Sequence, residues 1–147
     1  MSDSTFHGPR MLLASTPSAD LILRHILAPL GEIVSAYNHE EAIAQIEAGV
    51  DLVVCSLRFD ESRMLDLIAE MAGARPHLPF ICCHVQESEL PEGSLRAAFT
   101  AAGHLGAVAV VDLPRLVRAS GERGAEAQLN ACVRAHLHAG AGHASMS

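Results

Sequence analysis

Short apolar runs alternate with stretches of helical period along most of the chain. Residues 11–14 form the first run, followed by Ser15-Thr16-Pro17, where Thr16 is suited to cap a helix and Pro17 to occupy its first turn. Ile22, Leu23, Ile26, Leu27 and Leu30 recur at helical spacing, and Gly31 ends that helix. A second run, residues 32–36, leads to Asn38-His39-Glu40-Glu41, which reads as an N-cap with a glutamate three residues on. Ile43 and Ile46 face inward on this helix, and Gly49 stops it.

Residues 50–57 carry β-branched residues and do not alternate regularly with polar ones, as expected for a central strand covered on both faces. Met64, Leu67, Ile68 and Met71 then mark a helix closed by Gly73 and Pro76. Residues 80–85 read as the fourth strand, about 94–102 as a small helix after a Pro91/Gly93 loop, and 107–111 as the fifth strand. A last helix over about 125–137 carries Leu129, Cys132, Val133 and Leu137 on one stripe. Five strands alternating with five helices predict an α/β fold, a doubly wound five-stranded parallel sheet with right-handed crossovers. In the order 2-1-3-4-5 the reversal lies between strands one and three, which gathers Ser15, Thr16 and Ser56 at one crevice. The expected unit is a single domain over residues 10–138, with 1–9 and 139–147 as flexible ends.

Composition narrows the function. The 147 residues include no lysine, and ten arginines against seventeen acids give a formal charge of −7. That balance works against sequence-independent attraction to nucleic acid or anionic lipid. With no Trp, one Tyr and four Phe, a stacking platform for single strands is not expected either. The longest charge-free stretch, residues 97–111, is broken by Thr100, Gly103, His104 and Gly106 and falls short of the ~20 residues a membrane span needs. Cys55, Cys82, Cys83 and Cys132 lack a disulfide-framework spacing and no secretory signal peptide is read, so a reduced, cytoplasmic protein is expected.

Residues 32–57, EIVSAYNHEEAIAQIEAGVDLVVCSL, together with the element pattern over residues 10–137, make the chain similar to the receiver domain of two-component response regulators. The resemblance implies a flavodoxin-like (CheY-like) fold and a place in signal transduction by phosphorelay. Carried over position by position, it also implies that the chemistry has changed. The acidic pair that binds magnesium corresponds to Ser15 and Thr16, the phosphoacceptor aspartate to Ser56, the Thr or Ser ending strand four to His84, and the lysine before a proline to Leu113. Hard divalent cations are held by carboxylates and phosphate oxygens, which hydroxyls replace poorly. Joint loss is physically consistent, because a lysine left without its acids would be a buried unpaired cation. Asp60, four residues past Ser56, is expected to cap the third helix.

Other chemistry is weaker. Ser56 beside His84 invites a nucleophilic reading, but the strained Gly-x-Ser-x-Gly turn is missing. Cys82 and Cys83 alternate to opposite strand faces, which prevents a joint grip on one metal ion, and they read as small apolar fillers. Of nine histidines, His7, His136, His138 and His143 lie near the chain ends and form no site. No glycine-rich phosphate loop follows the first strand, and no cofactor is expected. The expected protein is therefore a pseudo-receiver, not an enzyme. It would pair or dock through the face that receivers use, within residues 94–137, with Arg96, Phe99, Val110, Arg115, Arg118 and Arg134 as candidates. Its partners would be signalling proteins, with itself as a homodimer among them. The alternative is a sensor whose altered crevice binds a small ligand or metal through His84, Ser56 and Cys82.

Overall fold

The computed structural model describes residues 8–86 and 91–146, so residues 1–7 of the expected lead-in over 1–9, part of the loop before the fourth helix and Ser147 lie outside the described residues. The chain forms β1 (Arg10–Ala14), α1 (Pro17–Leu27), β2 (Glu32–Ala36), α2 (His39–Ala48) and β3 (Leu52–Ser56). It continues through α3 (Met64–Ala74), β4 (Phe80–His84), α4 (Glu92–Leu105), β5 (Ala109–Asp112) and α5 (Leu113–Met146). The five strands are parallel, as the alternation of apolar runs and helical periods predicts, and lie in the order β2-β1-β3-β4-β5 that the flavodoxin-like fold implies.

Strand alternation sorts the core into two layers. Met11, Leu13, Leu52, Val54, Ile81, Cys83 and Val111 pack against Leu23 and Leu27 of α1 and Leu129 and Val133 of α5. Leu12, Ala14, Val53, Cys55, Phe80 and Cys82 pack on the other face against Ile46 of α2, Leu67 and Ile68 of α3 and Ala102 of α4. β3 is buried along its whole length, which is why it reads as a run without polar alternation.

The helix starts follow capping rules. Thr16 accepts from the Ala19 N–H at 3.3 Å with Pro17 behind it, and Asn38 accepts from the Glu41 N–H at 2.9 Å. α1 stops three residues short of Leu30. Pro29 cannot continue the α-helical ladder, and Ala28–Leu30 form a 3₁₀ turn instead. The chain then passes so close to Pro9 that a Cβ on Gly31 would sit 2.3 Å from the Pro9 carbonyl oxygen, which leaves only glycine at this bend.

Two stretches depart from the sequence expectation. The final helix begins directly after β5 and runs Leu113–Met146, longer at both ends than residues 125–137, with one break at Gly121 (φ 78°). Asp112 explains the early start: its Oδ1 accepts from the Arg115 N–H at 3.3 Å, an N-cap followed by Pro114. The other stretch is the helical turn Phe59–Ser62 ahead of α3, where Asp60 (φ 47°) and Glu61 (φ 55°) take left-handed conformations. Asp60 does not cap its own helix. Its Oδ2 accepts from the His39 N–H at 2.8 Å, so it caps α2 across the fold and ties the turn after β3 to the start of that helix.

Left-handed backbone costs a side-chain-bearing residue about 1–2 kcal/mol. Glu61 is exposed, so replacing it with glycine removes strain without removing a buried contact. Glu61→Gly is expected to raise unfolding stability by about 0.5–1 kcal/mol after the added flexibility of the unfolded chain is discounted, read as a shifted urea midpoint at unchanged slope.

Candidate functional site

The carboxyl ends of β1, β3 and β4 open onto a crevice of about 290 Å³ at the reversal of strand order. Thr16 and Ser18 line it from the start of α1, Ser56, Leu57 and Arg58 from the end of β3, and His84, Val85 and Gln86 from the end of β4. Ser18 Oγ donates to Gln86 Oε1 at 3.0 Å, a bond that joins two of its walls.

Of the five positions singled out from sequence, Thr16, Ser56 and His84 line this crevice, while Ser15 and Leu113 do not. Ser15 is fully buried and its hydroxyl donates to the Thr16 carbonyl at 3.2 Å. Leu113 is buried in the α1–α5 core layer and lines a separate groove. The Thr16 hydroxyl oxygen is engaged in capping α1.

Ser56 and His84 are the unusual pair. Ser56 is 2% and His84 6% exposed, yet neither Ser56 Oγ nor His84 Nε2 has a protein hydrogen-bond partner among the described residues. A buried polar atom without a partner costs about 1–3 kcal/mol. The other ring nitrogen of His84, Nδ1, lies 2.9 Å from Asp112 Oδ1. An ionised carboxylate only accepts, so Nδ1 carries the proton, and Nε2 offers a lone pair in the neutral ring or a second N–H in the charged one. Asp112 thus serves two partners, His84 and the N–H of Arg115. Sequence reading missed this role, although Asp112-Leu113-Pro114 carries the same cap-plus-proline signal as Thr16-Pro17.

A Ser–His–Asp relay is not assembled. Ser56 pairs in register with Cys83, and His84 pairs one step further with Asp112, so Ser56 and His84 leave their strands toward opposite faces. The thiols are equally unsuited to nucleophilic or metal chemistry. Burial pushes Cys55 and Cys83 well up, with the neighbouring Cys82 adding to both, and pushes Cys82 up to about 12. At neutral pH the reactive thiolate is therefore scarce.

No family model matches the sequence, and no curated protein matches it. Solved structures do. A CheY-like response regulator receiver domain protein from Methanospirillum hungatei JF-1 is 20% identical with a TM-score of 0.66, covering 92% of this chain and 98% of that one. The signal receiver domain of an HD domain-containing protein from Pseudomonas fluorescens Pf-5 is 18% identical with a TM-score of 0.71, over 95% of this chain and 93% of that one. A two-component response regulator from Clostridium difficile is 19% identical with a TM-score of 0.64, over 88% and 96%. The fold is that of a response-regulator receiver domain.

Receiver phosphorylation uses magnesium, and the residues here do not fit that ion. None of the described side chains lining the receiver crevice is a carboxylate, and Arg58 brings a positive charge instead. The receiver fold also carries the candidate interaction face. A cavity of about 720 Å³ between α4, β5 and the start of α5 brings together Arg96, Phe99, Val110, Arg115 and Arg118, with Glu92 and Asp112 beside them. Val110 is 44% exposed, and Arg96 pairs with Glu92 at 3.4 Å. Arg134 stands apart. It donates to Asn130 Oδ1 at 2.6 Å, and Asn130 donates to the Ile26 carbonyl of α1, so it belongs to the opposite side of α5. His84 lines both the crevice and this cavity. Among the described residues, no helix is long and apolar enough to cross a membrane.

Proposed function

We propose that this chain is a response-regulator-like signalling domain that works through its surfaces, as a pseudo-receiver, without aspartyl phosphorylation. The observation that carries the reading is Ser56: a neutral hydroxyl stands buried at the end of the central strand, in a crevice lined by no carboxylate. The α4–β5–α5 face is the interaction surface, and a second copy of the chain is the partner its chemistry fits. Exposed Val110 lines this face together with Phe99, and Glu92 shares it with Arg96 and Arg115, so a two-fold pairing lays each copy's basic groups on the other's acid. Sedimentation at rising concentration is expected to show self-association that Val110→Glu abolishes and that magnesium with acetyl phosphate leaves unchanged. A monomer at every concentration, or association that appears only with the phosphodonor, overturns this reading.

A second reading has its own observation. Ser56 Oγ and His84 Nε2 are buried and unpartnered beside one crevice. A small molecule that supplies their missing hydrogen bonds would make the domain a ligand sensor. Among the described residues no three His, Cys, Asp or Glu side chains converge to hold a metal ion, so a small molecule is the ligand class the crevice favours. A thermal-shift series with a metabolite panel tests it, with stabilisation that Ser56→Ala reduces as the expected result.

A further inference from the structure

We infer that the crevice and the neighbouring groove together form a binding site for a small amphiphilic carboxylic acid, with the acid at Ser56 and the apolar tail between α1 and α5. The inference rests on the small-ligand reading of the crevice and names the chemistry of that ligand.

The groove is a second cavity of about 430 Å³, walled by Leu21, Ile22 and Ile26 of α1 and by Leu113, Pro114 and Val117 of α5. Val85, at the end of β4, lines both cavities, so they are neighbours on one side of the sheet with this single side chain between them. Leu113 gives this wall its apolar character. Ser56 continues the alternation of Leu52 and Val54, whose side chains belong to the α1–α5 layer, so its hydroxyl leaves the sheet on the groove's side.

Charge fixes the polarity of the guest. Ser56, Arg58 and His84 are among the residues that line the crevice, with no carboxylate-bearing residue in its described lining. An acceptor-rich, negatively charged head matches those groups. The groove, in contrast, carries Glu122 and Glu126 beside its apolar wall. A second acid on the tail would meet two like charges, so the tail is neutral. The buried Ser56 oxygen without a partner is the independent sign that this end is built for a ligand.

The test is an NMR titration of the intact chain with acetate, butanoate, hexanoate and octanoate, with octylammonium as a control of reversed head charge. Each methylene buried is expected to tighten binding about fourfold until the groove is filled. Amide shifts should begin at Ser56 and His84 and spread to Ile22 and Val117 as the chain lengthens. Ser56→Ala should weaken every acid by a similar factor, about tenfold, whereas Val117→Ser should flatten the chain-length dependence and leave acetate unchanged. Equal affinity for all four acids overturns the amphiphile inference while the small-ligand reading of the crevice stands. Octylammonium binding as tightly as octanoate overturns the head assignment. No binding by any acid also overturns the inference, and the metabolite panel then decides the crevice reading separately.

Discussion

Ser56→Asp, which returns a carboxylate to the end of β3, is expected to lower stability by about 2–4 kcal/mol at neutral pH. The side chain at this position is 2% exposed, no lysine exists anywhere in the chain, and Arg58, the cation of the crevice lining, is itself solvent-exposed and offsets only part of the cost. Burial raises the folded-state pKa of such an aspartate above its unfolded value of about 3.9. The folded chain therefore holds its proton more tightly, and the penalty is absent below about pH 4 and grows as pH rises toward the folded pKa. Urea unfolding of wild type and variant at acidic and neutral pH reads the effect directly. Adding Leu113→Lys should return about 1–3 kcal/mol of the combined loss as a coupling between the two new charges. That outcome would show that the acid and the lysine are tolerated together and not singly. An equal penalty at both pH values would mean that Ser56 matters for its shape and not for its neutrality.

Phe59→Ala is expected to cost about 3–5 kcal/mol. Phe59 is the largest fully buried side chain among the described residues, packed in the α2–α3–α4 core layer three residues past Ser56. Removing it leaves a cavity and also frees the turn Phe59–Ser62, in which Asp60 holds the His39 N–H. Hydrogen exchange should therefore accelerate at the His39 amide, on a helix distant in sequence. A stability loss without faster exchange at His39 would separate the core from the α2 cap.

The central strands were legible in the sequence because β3 and β4 are buried throughout and their apolar runs carry no competing helical period, whereas the order of the sheet came with the fold that the resemblance implies. The start of α5 was less visible. Asp112-Leu113-Pro114 is a cap-and-proline signal, but it follows β5 with no intervening loop, so the strand's apolar run merges with the helix's. The role of Asp60 could not be read from local pattern, since an aspartate that caps a helix 21 residues earlier in the chain leaves no local spacing signal. In the site, the resemblance named five positions, but the structure does not bring all five to one cavity. Thr16, Ser56 and His84 face the crevice, whereas Ser15 turns to the Thr16 carbonyl and Leu113 into the core. The pairing of His84 with Asp112 depends on the register of β4 with β5, a long-range property.

Receiver chemistry leaves one covalent trace, and its presence or absence bears most directly on the central claim. The intact-protein mass after incubation with magnesium and acetyl phosphate is predicted to be unchanged under conditions that phosphorylate an aspartate-bearing receiver. A magnesium-dependent gain of one phosphoryl group, mapped to a residue of the crevice, would contradict the account.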